Sequence, residues 1–473
     1  MIVTENLRLK YPNGQKKIFD NLSLEIKDKE KVLILGPSGS GKSTLLNVLS
    51  DIVPNLIELP MKYDKLEIDQ DCGVIFQEPD SQFCMPKVYE ELAFVLENLQ
   101  TPRHKMDALI ESALESVDLN VKKDQYINNL SGGMKQKLAI AETLLQQANT
   151  LFLDEPTAML DVTSTEELWN KIKALWQDQT VIIVEHKVEH IWQHIDRVIL
   201  LNYDGVIIGD ASPADILNNY EHLLSEYGVW HPKAWDKAPL PIDLQQSNIQ
   251  YANEHLFLFE QGTIKRSKKT LIDIPKLNIT GGEWITITGP NGSGKTSLLE
   301  SMMQLIKYEG TMSFDGKKLT KIKEAAKNMY LVYQNPEIQF IANSVYKEIF
   351  IQNKANYPSI SEAEEKTIQM LKMLNLEDVQ SQHPYELSIG QKRRLSVAIA
   401  LSSTSEYILL DEPTFGLDSH NTFNLIKLFQ HRVRDGQTII MVTHDPEIIA
   451  RYPTRKLCVS QKHILEIAGE HHV

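Results

Sequence analysis

The sequence predicts an α/β fold written twice, as two tandem modules that each carry an inserted helical subdomain. Three observations predict it. Short apolar runs of strand length alternate with helical stretches. The same motifs recur in the same order, and the spacing between the two copies of each motif is nearly constant. Gly36-Pro-Ser-Gly-Ser-Gly-Lys-Ser43 returns as Gly289-Pro-Asn-Gly-Ser-Gly-Lys-Thr296, and Leu130-Ser-Gly-Gly-Met134 returns as Leu387-Ser-Ile-Gly-Gln391. Leu153-Asp-Glu-Pro-Thr157 returns as Leu410-Asp-Glu-Pro-Thr414. Lys42 and Lys295 are 253 residues apart, while Gln77 and Gln334, Ser131 and Ser388, and Asp154 and Asp411 are each 257 apart.

Taken in order, Lys31-Val-Leu-Ile-Leu35 reads as a buried strand that runs into the first glycine loop, with a helix over Lys42–Leu49. Thr150–Leu153 and Thr180–Val184 are further short apolar strands. Residues 87–125 and 344–380 are helical in character with few β-branched runs, which places an inserted helical subdomain in each module. Between the modules, residues 228–241 break all periodicity with three prolines. The expected division is a first domain over 1–228, a linker over 229–245 and a second domain over 246–473. Trp230 and Trp235 in that linker suggest that it packs against a domain.

Composition narrows the class. The 473 residues are too many for one ordinary domain, and 42% hydrophobic with 24% charged residues suits large buried cores. A formal net charge of −14 weighs against nucleic acid as a partner. Cys72, Cys84 and Cys458 are scattered, which disfavours a zinc site, an iron–sulfur cluster or a disulfide framework. Neither a secretory signal nor an apolar run long enough to span a bilayer is expected, so any service to a membrane comes from its surface.

The glycine loops carry the clearest chemistry. Gly36, Pro37, Ser38, Gly39, Ser40 and Gly41 let the backbone curl so that successive N–H groups point at phosphate oxygens. Gly289, Pro290, Asn291, Gly292, Ser293 and Gly294 do the same in the second copy. The following helix offers its positive end to the same anion. Lys42 and Lys295 reach the outer phosphates, and Ser43 and Thr296 hold Mg²⁺. Thr44 and Ser297 complete each cradle. Asp154 and Asp411, at the ends of apolar strands, bind the same metal, and Glu155 and Glu412 polarise the attacking water. Gln77 and Gln334 join the metal and the water. His186 and His444 follow the next buried strand at matching positions and are placed to contact the γ-phosphate.

Phosphate loop, glutamine loop, Leu-Ser-Gly-Gly, Leu-Asp-Glu-Pro-Thr and terminal histidine, in that order, resemble the ATPase domains of ABC proteins over essentially the whole chain. The resemblance implies two tandem P-loop ABC ATPase domains that use ATP and Mg²⁺. It also implies an internal pseudo-dimer, in which Ser131, Gly132 and Gly133 complete the site on Lys295, while Ser388, Gly390 and Gln391 complete the site on Lys42. Asp161 and Asp418 then lie at the interface, and Tyr11 and Phe259 stack on adenine. Ile389 stands where the motif has a glycine. Such a β-branched side chain is expected to obstruct phosphate or to shift the helix start, slowing the site it completes.

The shared Gln-x-Pro-x-x-Gln-Phe pattern, in Gln77–Phe83 and Gln334–Phe340, is similar to the energy-coupling-factor class of importers and to the related cobalt and nickel systems. That resemblance implies an ATPase at the cytoplasmic face of the cell membrane. Its partners are a transmembrane coupling protein and a small membrane substrate-binding protein, with Phe83 and Phe340 lining the groove for the coupling protein's helix. Two ATPases in one chain resemble the duplicated type linked to vitamin uptake, often for the pyrimidine precursor of thiamine. Tandem ABC ATPases that act on ribosomes carry a longer, highly charged linker and a basic balance, both unlike this chain.

Overall fold

The computed structural model describes residues 1–242 and 255–467, apart from 13, 15, 158, 159, 161, 267 and 268. The chain forms two compact units, Met1–Ala234 and Trp235–Val473. The last residues of the expected linker, 243–245, and the first of the second domain, 246–254, lie outside the described residues.

In the first unit a six-stranded sheet runs in the order Ile207–Ala211, Arg197–Leu201, Lys31–Leu35, Thr180–Val184, Thr150–Asp154, Cys72–Ile75. All pairs are parallel except at the Ile207–Ala211 edge. Thr150–Asp154 and Thr180–Val184 are buried along their whole length because helices cover both faces, so they read as apolar runs without alternation. A separate antiparallel sheet pairs Ile2–Leu9 with Phe19–Ile26, Met61–Lys62 and Lys65–Glu67. Its buried faces meet the glycine-loop helix Lys42–Leu49 in one core.

The second unit repeats this plan with its strands joined into one ten-stranded sheet. The antiparallel part, Leu256–Arg266 against Lys269–Thr280, connects to the parallel part through Asp273 and His463. The parallel strands Trp284–Thr288, Thr438–Val442, Tyr407–Asp411 and Met329–Val332 lie side by side.

The helical insertions are Val88–Asn98 and Arg103–Ser116 in the first unit, and Val345–Asn356 and Ile360–Met373 in the second. Each packs on the helix that starts at the Leu-Ser motif, Gly132–Gln146 or Ile389–Leu401. Of the linker tryptophans, Trp230 is buried in the first unit, and Trp235 meets Phe423 edge-on at 5.2 Å in the second.

Candidate functional site

Each glycine loop leaves the C-terminal end of a buried parallel strand and turns directly into a helix. Gly41 and Gly294 cap those helices with φ of 91° and 106°, a left-handed backbone that a side chain disfavours. A Cβ on Gly41 would also lie 2.7 Å from Ile18, so the loop closes only with glycine there. Lys42 Nζ donates to the carbonyls of Gly36 at 2.9 Å and Pro37 at 3.0 Å. Lys295 Nζ does the same to Gly289 and Pro290, at 2.7 and 3.0 Å. Both ammonium groups are thus held folded over their own loops.

The acids converge on the same place. Ser43 Oγ donates to Asp154 at 3.0 Å, and Thr296 Oγ1 donates to Asp411 at 2.7 Å. A hydroxyl and a carboxylate at hydrogen-bond distance are hard oxygen donors. They fit Mg²⁺, which takes few protein ligands and completes its shell with water and phosphate oxygen. Burial pushes the Asp154 carboxyl up to about 6, against the opposing bond from Ser43 and the charge of Lys42. Burial raises Asp411 as well, opposed by Thr296, Arg393 and Lys295.

Glu155 and Glu412 sit one residue past their strands with φ of 46° and 52°, in the left-handed region that non-glycine residues rarely enter. Their amides bond across to Val184 and Val442, which fixes the turn. Strain held in place in both copies marks a functional position. His186 Nε2 lies 2.9 Å from Glu155 Oε1, and Gln77 Nε2 donates to Glu155 Oε2 at 2.7 Å. Burial alone would raise Glu155, but the bond and charge of His186, with Lys42, outweigh it and hold the carboxyl below its ordinary range. Burial also opposes a charged imidazole, yet Glu155 raises His186 in return. In the second unit His444 Nε2 stands 3.5 Å from Glu412, and Gln334 is exposed.

Ser131 and Ser388 cap the helices Gly132–Gln146 and Ile389–Leu401, accepting from the amides of Met134 and Gln391. The Gln391 side chain also accepts from the Ser388 amide at 2.9 Å, closing a capping box. The two helices begin at equivalent positions, Gly132 and Ile389, which are 257 residues apart. Ile389 therefore does not shift the helix start; its side chain is turned outward, 45% exposed, beside Gly390. Asp418 caps the helix Ser419–Arg434 by accepting from Asn421 N at 2.8 Å, and Asp161 lies outside the described residues.

Tyr11 is 42% exposed, and its hydroxyl lies 2.9 Å from Thr44 Oγ1 at the start of the loop helix. Phe259 overturns its expectation. It is 0% exposed in the antiparallel core, edge-on to Tyr308 at 5.3 Å, and a Cβ on Gly262 would come within 2.4 Å of its ring. An enclosed ring cannot stack on a base. Phe340 is likewise buried in the core of its helical subdomain, while Phe83 is half-buried. The outward apolar side chains of that loop are Ile338 and Ile341, 63% and 77% exposed.

Two buried residues at these sites escape sequence reasoning. Glu185 accepts from Thr157 Oγ1 at 2.8 Å and from His186 N at 2.8 Å, tying the Asp-Glu-Pro-Thr loop to the histidine. Burial pushes its carboxyl up to about 7. Arg393 donates to the Tyr333 carbonyl at 3.2 Å and lies within Coulombic reach of Asp411 and Glu412. The only sequence signal for Glu185 is its place beside His186.

Strand, glycine loop, helix, strand-end acid pair and histidine define a phosphate-loop ATPase, here in two copies. The sequence pattern of the family described as ABC transporter matches residues 19–158 and 272–415. The chain belongs to that family, binds ATP with Mg²⁺ and hydrolyses ATP. A Bacillus subtilis (strain 168) protein provisionally named as the HMP/thiamine import ATP-binding protein YkoD is 32% identical, over 96% of this chain and 88% of its own length. A Streptococcus pneumoniae serotype 4 (strain ATCC BAA-334 / TIGR4) protein, provisionally named an ABC transporter ATP-binding protein, is 30% identical over 97% and 88%. Among solved structures, an archaeal ribosome recycling factor, aABCE1, in complex with the ribosomal stalk protein aP1, superposes with a TM-score of 0.66. It is 21% identical, covering 96% of this chain and 87% of that one, and shares the fold. Among the described residues no helix is long and apolar enough to cross a membrane.

Proposed function

We propose that this chain is the ATP-hydrolysing subunit of an energy-coupling-factor type importer, carrying a vitamin or vitamin precursor such as the thiamine pyrimidine. The observation that carries the reading is the pair of Gln-x-Pro-x-x-Gln-Phe loops, each leading from the first glutamine of its motif into a helical insertion. The second presents Ile338 and Ile341 to solvent, apolar side chains suited to receive an amphipathic helix of a transmembrane coupling protein. The provisional import name of the B. subtilis relative supports the same reading. Likeness in fold to a ribosome recycling factor at 21% identity gives no comparable support to the ribosomal alternative.

In this reading the loop amides with Lys42 or Lys295 hold the phosphates. Ser43 with Asp154, and Thr296 with Asp411, would hold the metal, which would supply positive charge against the phosphoryl oxygens. Glu155 or Glu412 orients water, and His186 or His444 holds that carboxylate until the γ-phosphate is in reach.

The test is co-purification of the tagged chain from detergent-solubilised membranes, set against sedimentation with ribosomes. A small multi-span protein recovered in stoichiometric amount, and lost on Ile338→Asp/Ile341→Asp, is the expected result. Recovery with ribosomes and no membrane protein would overturn it.

A further inference from the structure

With Phe259 enclosed, the second site lacks the aromatic expected to meet the base, and the strand register shows what stands there. In the first unit Leu9 pairs with Phe19, whose ring lies against Gly41 at the end of the glycine loop. Tyr11 follows Leu9 by two residues and reaches Thr44 on the loop helix. In the second unit Ile264 pairs with Ile272, whose side chain lies against Gly294 at the matching point. Leu9 and Ile264 are both buried in the core and mark the same place in the two strands. Two residues past Ile264 is Arg266, the exposed last residue of its strand. Its charge acts on Glu300, which lies on the helix that springs from the second loop.

We propose that Arg266 is the base-binding residue of the second nucleotide site, its planar guanidinium stacking on adenine where the first site uses the ring of Tyr11. A guanidinium is planar, weakly hydrated and always charged, and stacks on aromatic faces as a lysine ammonium does not. The inference rests on reading the Lys295 loop as a nucleotide site.

The experiment uses the full chain with Lys42→Ala, so that binding reports the second site, and titrates ATP and inorganic tripolyphosphate in parallel. Arg266→Ala should weaken ATP roughly three- to tenfold and leave tripolyphosphate unchanged. Arg266→Tyr should restore ATP binding, and Arg266→Lys should not. Unchanged ATP binding in Arg266→Ala overturns the proposal. So does an equal loss for both ligands, or full binding by Arg266→Lys, since each makes Arg266 a point charge for phosphate. ATP binding that survives Lys42→Ala/Lys295→Ala strikes at the site assignment itself.

Discussion

The two units hold the same reacting groups and differ in what stands behind them. Lysine, hydroxyl, aspartate, glutamate and histidine recur at matching places, with the same lysine-to-carbonyl bonds and the same left-handed glutamate. Behind His186 is the buried Glu185, where the second unit has Thr443; behind the second unit's acids is Arg393, where the first has Gln136. At these two positions the first site carries a buried carboxyl and the second a buried cation. Phosphoryl transfer constrains the groups that touch nucleotide and metal, and leaves their supports free to drift so long as geometry is kept.

The largest expected difference is catalytic. If Ile389 slows the site built on Lys42, most turnover comes from the site built on Lys295. Glu412→Gln should then cut ATP hydrolysis about a hundredfold, and Glu155→Gln should cut it less. Equal losses, or a larger loss for Glu155→Gln, remove the asymmetry. Steady-state ATPase rates at saturating ATP decide it.

Next in size is the contrast between Tyr11 and Phe259. Phe259→Ala empties a closed core position and should cost about 3–5 kcal/mol, seen as an early unfolding step of the second unit in calorimetry. Tyr11→Ala should leave melting within about 0.5 kcal/mol of the parent while weakening nucleotide binding. A destabilised Tyr11→Ala, or a stable Phe259→Ala, would reverse the roles drawn from burial.

Glycine loop, following helix, strand-end acids and histidine were all legible in the sequence, because that chemistry demands fixed residue types at fixed spacing. Phe259 misled because residue type was matched without register: the second antiparallel strand runs on to Arg266, which puts the aromatic inside and the arginine at the end. Arg393 gave no signal, and Glu185 only its place beside His186, because charged residues are ordinarily exposed and only the packed structure shows them buried. Phe340 failed for the opposite reason, as an apolar residue next to a partner-facing loop serves the core at least as readily as the surface.

A smaller effect distinguishes the two helices that start at the Leu-Ser motifs. Glu142 is buried in the first unit, accepting from Gln82 at 2.7 Å, while the equivalent position 257 residues on is Ile399. Burial, with the nearby charge of Glu91, pushes Glu142 up to about 8 from an ordinary 4.5. Between those values the folded chain holds a proton that the unfolded chain has released. Its contribution is present in full below 4.5 and is lost as pH rises through about 8. Glu142→Gln keeps an acceptor for Gln82 and removes the titration. It should melt higher than the parent at pH 8 by roughly 2–6 °C, and the gap should close near pH 5. A gap independent of pH would mean that Glu142 does not titrate in this range.

The smallest effect tests the departure of the second Leu-Ser motif from its pattern, Ile389. Ile389 opens its helix at the position Gly132 holds in the first unit, and its side chain is exposed, so it packs little of the folded chain. Ile389→Gly should lower stability by less than about 1 kcal/mol, the usual penalty of glycine in a helix, reduced at the first turn. If the side chain obstructs phosphate at the site on Lys42, the same change should raise ATP hydrolysis a few-fold, about 1 kcal/mol of barrier. The gain must also disappear in Glu155→Gln and persist in Glu412→Gln, because only the first site is relieved. A gain that follows Glu412 instead would assign Ile389 to the other site, and no gain would show that the side chain does not obstruct phosphate.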